Sequence, residues 1–400
     1  MENPIKPVAT RSIGIAVVLL VVGIVIGFAV GHYTVATAPS KPAINTFAAG
    51  SLKYALGNDF NPQYTNLTGV RVGMTFSGSI SGAREVQEGK NYSVFISASA
   101  PILYQDLMND THYASWQIIF SANEMAITWT NPKYSILPSW PYWFENITEN
   151  STIVAASNAS LDPSGFQAIE TMKLAGLLYT GWDNSSILVG NEPVSYYVRL
   201  AFDDNFAMYM NYNKAYNDWF HGQFGYPVND SLALYHQIFI SKYLNGTTKL
   251  TTVEIGLDGY LTAGTADYAL TYVSQAINQG LSYYENSTGG NGLPAWINLG
   301  SVNKTIDDFY EQINESGPAW DNVGNLPGAP IFYSITVISN YTNPYAIQYV
   351  YDLITGLGQH YLSMSKFDPL AQPFYVGDVP AQLKPLVVAP PSYLPVSSYD

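Results

Sequence analysis

Apolar positions recur in three different rhythms along this chain. Across residues 13–30 they run without interruption, long enough for a helix to cross a bilayer. Beyond Lys41 the runs shorten and turn β-prone at residues 44–48, 70–76, 94–97, 126–130 and 331–338, which predicts strands. Between them apolar residues return at three- and four-residue steps, as at Leu52, Ala55, Leu56 and Phe60, and at Ala346, Val350, Leu353 and Ile354. Those steps predict helices, the last over 346–357. Strands alternating with helices imply an α/β fold with mostly parallel sheets, and in such folds ligands sit at the carboxyl ends of the strands.

The same pattern divides the chain into an N-terminal membrane segment at 1–33, a Pro/Ala/Thr/Ser linker at 34–42, and two lobes. Lobe 1 begins over 43–127 and returns over 331–400 with a C-terminal tail; lobe 2 occupies 128–330, entered through the Pro-rich stretch 132–141. Two crossings make a hinge, and a hinge makes a cleft. Near 185–250 the texture changes, with Tyr196, Tyr197, Phe202, Phe206, Tyr209, Tyr212, Tyr216, Trp219 and Phe220 crowded together. One reading is an aromatic platform for a sugar or a partner. The plainer one, adopted here, is a helical insertion packed on lobe 2.

Two Gly-Ser turns carry the candidate chemistry. Ala48-Ala49-Gly50-Ser51-Leu52 and Phe76-Ser77-Gly78-Ser79-Ile80 each follow a predicted strand and open a predicted helix. A helix start leaves backbone N–H groups unpaired at the positive end of its dipole, which suits an oxyanion. Ser51 and Ser79 add hydroxyl donors, and Gly50 and Gly78 allow close backbone approach.

Lys6 and Arg11 precede the long apolar run, so the short N-terminus is expected inside and the rest of the chain outside the cell. The run is read as an uncleaved anchor on the cell membrane, or as a secretory signal cut near Ala36-Thr37-Ala38. Thirteen of thirty asparagines stand in Asn-x-Ser/Thr sequons, which suggests a glycosylated exterior. The absence of cysteine excludes a disulfide scaffold, a thiolate zinc site and a Cys nucleophile. Charged residues make up only 12% while Tyr reaches 32, a surface chemistry that fits an acidic exterior, where carboxylates lose their charge. A net charge of −14 excludes nucleic acid as a partner and leaves anion capture to local dipoles.

Catalysis finds little support. His32, His112, His221, His236 and His360 are scattered, no Walker Gly-Lys-Ser/Thr occurs, and the serines of Gly78-Ser79-Ile80-Ser81-Gly82 miss the central place of a hydrolase elbow. Asp258, Asp267, Asp307 and Asp308 read as turn and cap residues. The chain is not expected to be an enzyme.

Taken in order, Phe47-Ala48-Ala49-Gly50-Ser51-Leu52, Ser77-Gly78-Ser79, Ala122-Asn123-Glu124-Met125-Ala126-Ile127, Leu161-Asp162-Pro163-Ser164-Gly165-Phe166 and Asp267-Tyr268-Ala269-Leu270-Thr271-Tyr272 resemble the archaeal-type molybdate/tungstate-binding proteins of ABC importers. Ile297-Asn298-Leu299-Gly300 and Ser334-Ile335-Thr336-Val337 extend the resemblance. It implies a type II periplasmic-binding-protein fold with no cofactor, and tungstate or molybdate as the ligand. It also implies permease and ATPase partners and a monomeric binding protein. By position, Ser51 and Ser79 match two oxyanion contacts, Asp162 a contact to the metal centre, and Tyr272 a hydroxyl contact. Thr271 stands where a glutamate is expected, which implies a single carboxylate and a nearly four-coordinate oxyanion, with Asp162 protonated or a weak fifth contact. Sulfate, phosphate or a sugar on the same fold, or a non-transport surface protein, are the alternatives.

Overall fold

The computed structural model describes residues 43–109, 111–130, 143–189, 191–283, 293–315, 326–339 and 343–394. The 13–30 run, the linker and the 132–141 stretch lie outside them. Among the described residues no helix is long and apolar enough to cross a membrane.

In chain order the strands are β1 Ala43–Ala49, β2 Arg71–Ser77, β3 Val94–Ser97, β4 Trp116–Asn123, β5 Met125–Trp129, β6 Val154–Ser157, β7 Leu188–Val189, β8 Glu192–Pro193, β9 Thr248–Thr251, β10 Tyr268–Tyr272, β11 Ser282–Tyr283, β12 Asn314–Glu315, β13 Leu326–Pro327, β14 Ile331–Val337 and β15 Asp368–Gly377. Six of them form one sheet, ordered β15-β4-β14-β3-β1-β2, and five a second, ordered β11-β5-β10-β6-β9. Within the first sheet β1 runs parallel to β2 and β3; within the second, β6 runs parallel to β9 and β10. The chain crosses between sheets at Glu124 and returns before Ile331, so this is the two-lobed, type II periplasmic-binding-protein fold. The crossing comes at Glu124 because 125–128 pairs with β10 and Trp129 with β11, both strands of the second sheet. In both lobes the parallel strands end at the same place, the cleft.

Strands buried on both faces read as continuous apolar runs, and β1 shows why. Ile44 and Ala48 join the main core, while Phe47 stacks on Phe95 at 4.7 Å on the opposite face. The helix Pro163–Thr180 is buried along all but its last residue. Its outer side is covered by the aromatic stretch, whose helix Phe206–Phe224 stacks Tyr216 on Tyr179 at 5.4 Å and sets Tyr216 edge-on to Phe144. The aromatic crowding is therefore core for lobe 2.

Two helices differ from expectation. The segment opened by Ser51 begins as a tight turn over Gly50–Leu52, widens to i→i+5 bonding over Lys53–Phe60 and becomes α-helical only over Asn61–Thr68. The helix expected over 346–357 ends at Ile354, because Thr355 is extended, with φ −119° and ψ −172°, and a second helix runs over Gly356–Met364. A Cβ on Gly358 would stand 2.0 Å from the Leu353 carbonyl oxygen, so the second helix folds tightly onto the end of the first.

Candidate functional site

The cleft is assembled from the turns that follow parallel strands. From lobe 1 come Gly50 and Ser51 after β1, Gly78 and Ser79 after β2, and Ala98 after β3. Lobe 2 contributes Asp162 after β6, Glu254 after β9 and Tyr272 at the end of β10. Ser51, Ser79, Asp162, Glu254 and Tyr272 are all buried.

Contact between the lobes is backbone-close at both glycines. A Cβ on Gly78 would lie 2.2 Å from the Leu161 carbonyl oxygen and 2.9 Å from Asp162 Cβ; one on Gly50 would lie 2.7 Å from Val253 Cγ2 and 3.0 Å from Glu254 Oε1. The Ser81 N–H donates to Leu161 O at 3.1 Å, and Gln167 Nε2 donates to Ala98 O at 3.5 Å. Ser79 begins the helix Ser79–Gln87, and its hydroxyl accepts from the Ala98 N–H at 2.9 Å. Since that bond uses an oxygen lone pair, the Ser79 hydrogen is left to donate.

Asp162 caps the Pro163 helix. One carboxylate oxygen accepts from the Ser164 N–H at 3.4 Å and the other from the Glu254 N–H at 2.8 Å. Glu254 places its side chain beside Asp162 and Ser51, yet neither of its carboxylate oxygens has a partner of hydrogen-bonding geometry. Burial raises the Asp162 carboxyl above its ordinary range, against the pull of its hydrogen bonds. Burial, and then the charge of Asp162, raise Glu254 much further. Two adjacent buried carboxyls resist carrying two negative charges at once. They offer oxygens to an electron-poor centre, or a proton to a ligand oxygen.

Thr271 does not join them. Successive side chains alternate across a strand, and Ala269 belongs to a separate cluster with Ala155 and Ala276 while Leu270 and Tyr272 join the main core. Thr271 shares the Ala269 face, away from Tyr272. A second carboxyl, that of Glu254, stands beside Asp162 where the sequence pointed to one alone. Tyr272 donates its hydroxyl to Gln167 Oε1 at 2.7 Å, and burial followed by the charges of Tyr333, Asp162 and Glu254 holds it well above the ordinary phenol range. Glu254 and Tyr333 escaped the sequence reading. Glu254 had one usable signal, an acidic residue just past the carboxyl end of a parallel strand.

Two lobes facing each other across a small polar site are the arrangement of a solute-binding protein. The chain belongs to the family of bacterial extracellular solute-binding proteins, whose pattern it matches over residues 44–354. An uncharacterized solute-binding protein of Thermoplasma volcanium is 72% identical over 402 residues, covering the whole of both chains. The molybdate/tungstate-binding protein WtpA of Pyrococcus abyssi is 24% identical over 385 residues, covering 93% of this chain and 96% of its own. Among solved structures, the periplasmic molybdate-binding protein of Azotobacter vinelandii covers 82% of this chain and 100% of its own, with a TM-score of 0.49 and 13% identity. The family match and the Thermoplasma relative place the protein among extracellular solute-binding proteins.

Proposed function

We propose that the cleft captures tungstate or molybdate and delivers it to an ABC permease and its ATPase, with the protein a monomer held outside the cell by its N-terminal segment. The observation that carries this reading is the buried pair Asp162 and Glu254, with both Glu254 oxygens unpartnered between Gly50, Ser51 and Asp162. A carboxylate a few ångströms from a dianion is repelled by roughly 1–4 kcal/mol in a partly screened site. Sulfate, whose central atom stays four-coordinate and which carries no proton to share with a carboxylate at neutral pH, offers no compensation. A hexavalent Mo or W centre accepts further oxygen ligands, so the same carboxylates become contacts. Ser51 and Ser79, with the backbone beside Gly50 and Gly78, then donate to the oxyanion oxygens, and the Tyr272 hydroxyl closes the site from lobe 2. The WtpA likeness supports the same ligand class.

Calorimetric titration of residues 40–400 with tungstate, molybdate, sulfate and phosphate tests this. Tungstate and molybdate are expected to bind at least a hundredfold more tightly than sulfate, with X-ray absorption at the tungsten edge reporting more than four oxygen neighbours. Glu254→Gln lowers both affinity and coordination number. Sulfate or phosphate binding as tightly as tungstate refutes the proposal.

A further inference from the structure

A chain of buried hydrogen bonds runs from the hinge to Ser51, and its direction can be read. Asn123 ends β4, next to the crossing residue Glu124. The Glu124 N–H donates to Asn123 Oδ1 at 3.0 Å. A backbone N–H can only donate, so this bond fixes which end of the amide is oxygen. Both Nδ2 hydrogens therefore point the other way, one to Ser274 Oγ in lobe 2 at 2.7 Å and one to the Tyr333 hydroxyl at 3.2 Å. Having accepted from Asn123, the Tyr333 hydroxyl still has a hydrogen to place, and among the described residues its other hydrogen-bond partner is Ser51 Oγ, 2.7 Å away. Ser51 in turn accepts from Tyr333 and keeps its hydrogen for the cleft, where the Glu254 carboxyl lies beside it. All four side chains are buried, so water does not compete along the chain.

We infer that Tyr333 and Asn123 are positioning residues that lock the Ser51 hydroxyl as a donor toward the bound solute. The inference rests on the oxyanion reading of the cleft. Each donor in such a series polarises the next, so Ser51 becomes a stronger donor than a serine hydroxyl acting alone. A ligand that must itself donate at this point, such as a protonated phosphate or a sugar hydroxyl, meets a hydrogen instead of a lone pair. Because the Asn123 amide also holds Ser274 across the lobes, the donor direction is tied to the same residue that bridges them.

The test is a double-mutant cycle on tungstate affinity with Ser51→Ala and Tyr333→Phe. Phenylalanine keeps the ring that meets Phe367 edge-on at 5.1 Å and Tyr272 at 6.3 Å, and removes the donor alone. Tyr333→Phe is expected to weaken binding about five- to tenfold in the wild-type background and less than twofold in Ser51→Ala, with unfolding of the ligand-free protein little changed. Equal losses in both backgrounds mean that Tyr333 acts independently of Ser51 and overturn the inference. If Tyr333→Phe does not accumulate folded, Asn123→Ala in the same cycle asks the same question at the head of the chain. A wild type that binds tungstate but shows additive losses sinks this inference alone. A wild type that binds no oxyanion sinks the reading of the site and this inference with it.

Discussion

Replacing Gly78 with alanine separates lobe closure from lobe folding. The residue has φ −65° and ψ 139°, an extended conformation that alanine adopts freely, so the backbone of lobe 1 is not strained. The new methyl would sit 2.2 Å from the Leu161 carbonyl oxygen, about 1 Å inside a normal carbon–oxygen contact of roughly 3.3 Å. The obstacle is backbone and cannot rotate aside. Relief requires the lobes to part by about that ångström, which takes the Ser81 N–H to Leu161 O bond from 3.1 Å to near 4 Å, outside bonding range. An amide left unpaired in a closing cleft costs about 1–3 kcal/mol, and Asp162, 2.9 Å from the same methyl, retreats from the lobe 1 donors as well. Together these give about 2–3 kcal/mol, or roughly 30- to 150-fold in Kd. Calorimetric titration with tungstate reads the affinity, and small-angle scattering with and without tungstate reads the closure. A Kd within twofold of wild type, with the usual compaction on binding, refutes the contact geometry on which the whole cleft is argued.

Three more outcomes are expected. Burial, with Asp368 nearby, pushes the Glu124 carboxyl up to about 7 from 4.5; a raised carboxyl pKa favours the fold below pH 4.5 and loses that contribution as pH rises through 7, up to about 3 kcal/mol. Chemical denaturation of Glu124→Gln across this range should show a flatter profile than wild type, and an unchanged profile counts against the assignment. Asp307, buried with both carboxyl oxygens unpartnered and pushed up to about 8 by burial and then Glu311, acts in the same sense, so Asp307→Asn should stabilise the protein at pH 8 and do little at pH 4. Phe220→Ala should lower unfolding stability by about 3–5 kcal/mol and leave tungstate affinity unchanged, because Phe220 packs on Phe144 and Tyr216 within lobe 2; a loss of binding without a loss of stability would restore the aromatic stretch as a binding platform.

Strands were legible where period and composition agree. The run at 44–48 became β1 with a residue added at each end, and 331–338 became β14 less its last residue. The two Gly-Ser turns were legible because a strand, a glycine, a serine and a helix follow one another locally. Glu254 was not, because its meaning comes from Gly50 and Asp162, which the fold brings to it from distant parts of the chain. Tyr333 was hidden for a different reason: in a strand buried on both faces nothing local marks which tyrosine has its hydroxyl against a serine. Thr271 stands next to Tyr272 in the chain but shares the Ala269 face of the strand, because neighbours in a strand point to opposite faces. The helix break at Thr355 goes with Gly358, whose small size serves the packing of one helix on another rather than a local rule.

Asn123 and Ile331 are register partners, so the chain leaves lobe 1 and comes back to it at adjoining places on neighbouring strands. Such a pair works like the two knuckles of a single door hinge: rotation about it moves the far rims of the lobes while the ladders inside each sheet stay zipped. Solute can therefore enter and leave without any melting of the fold. In deuterium labelling, amides of β1, β3 and β6 should exchange alike in the loaded and empty protein, whereas the Ser81 amide slows sharply once the door is shut.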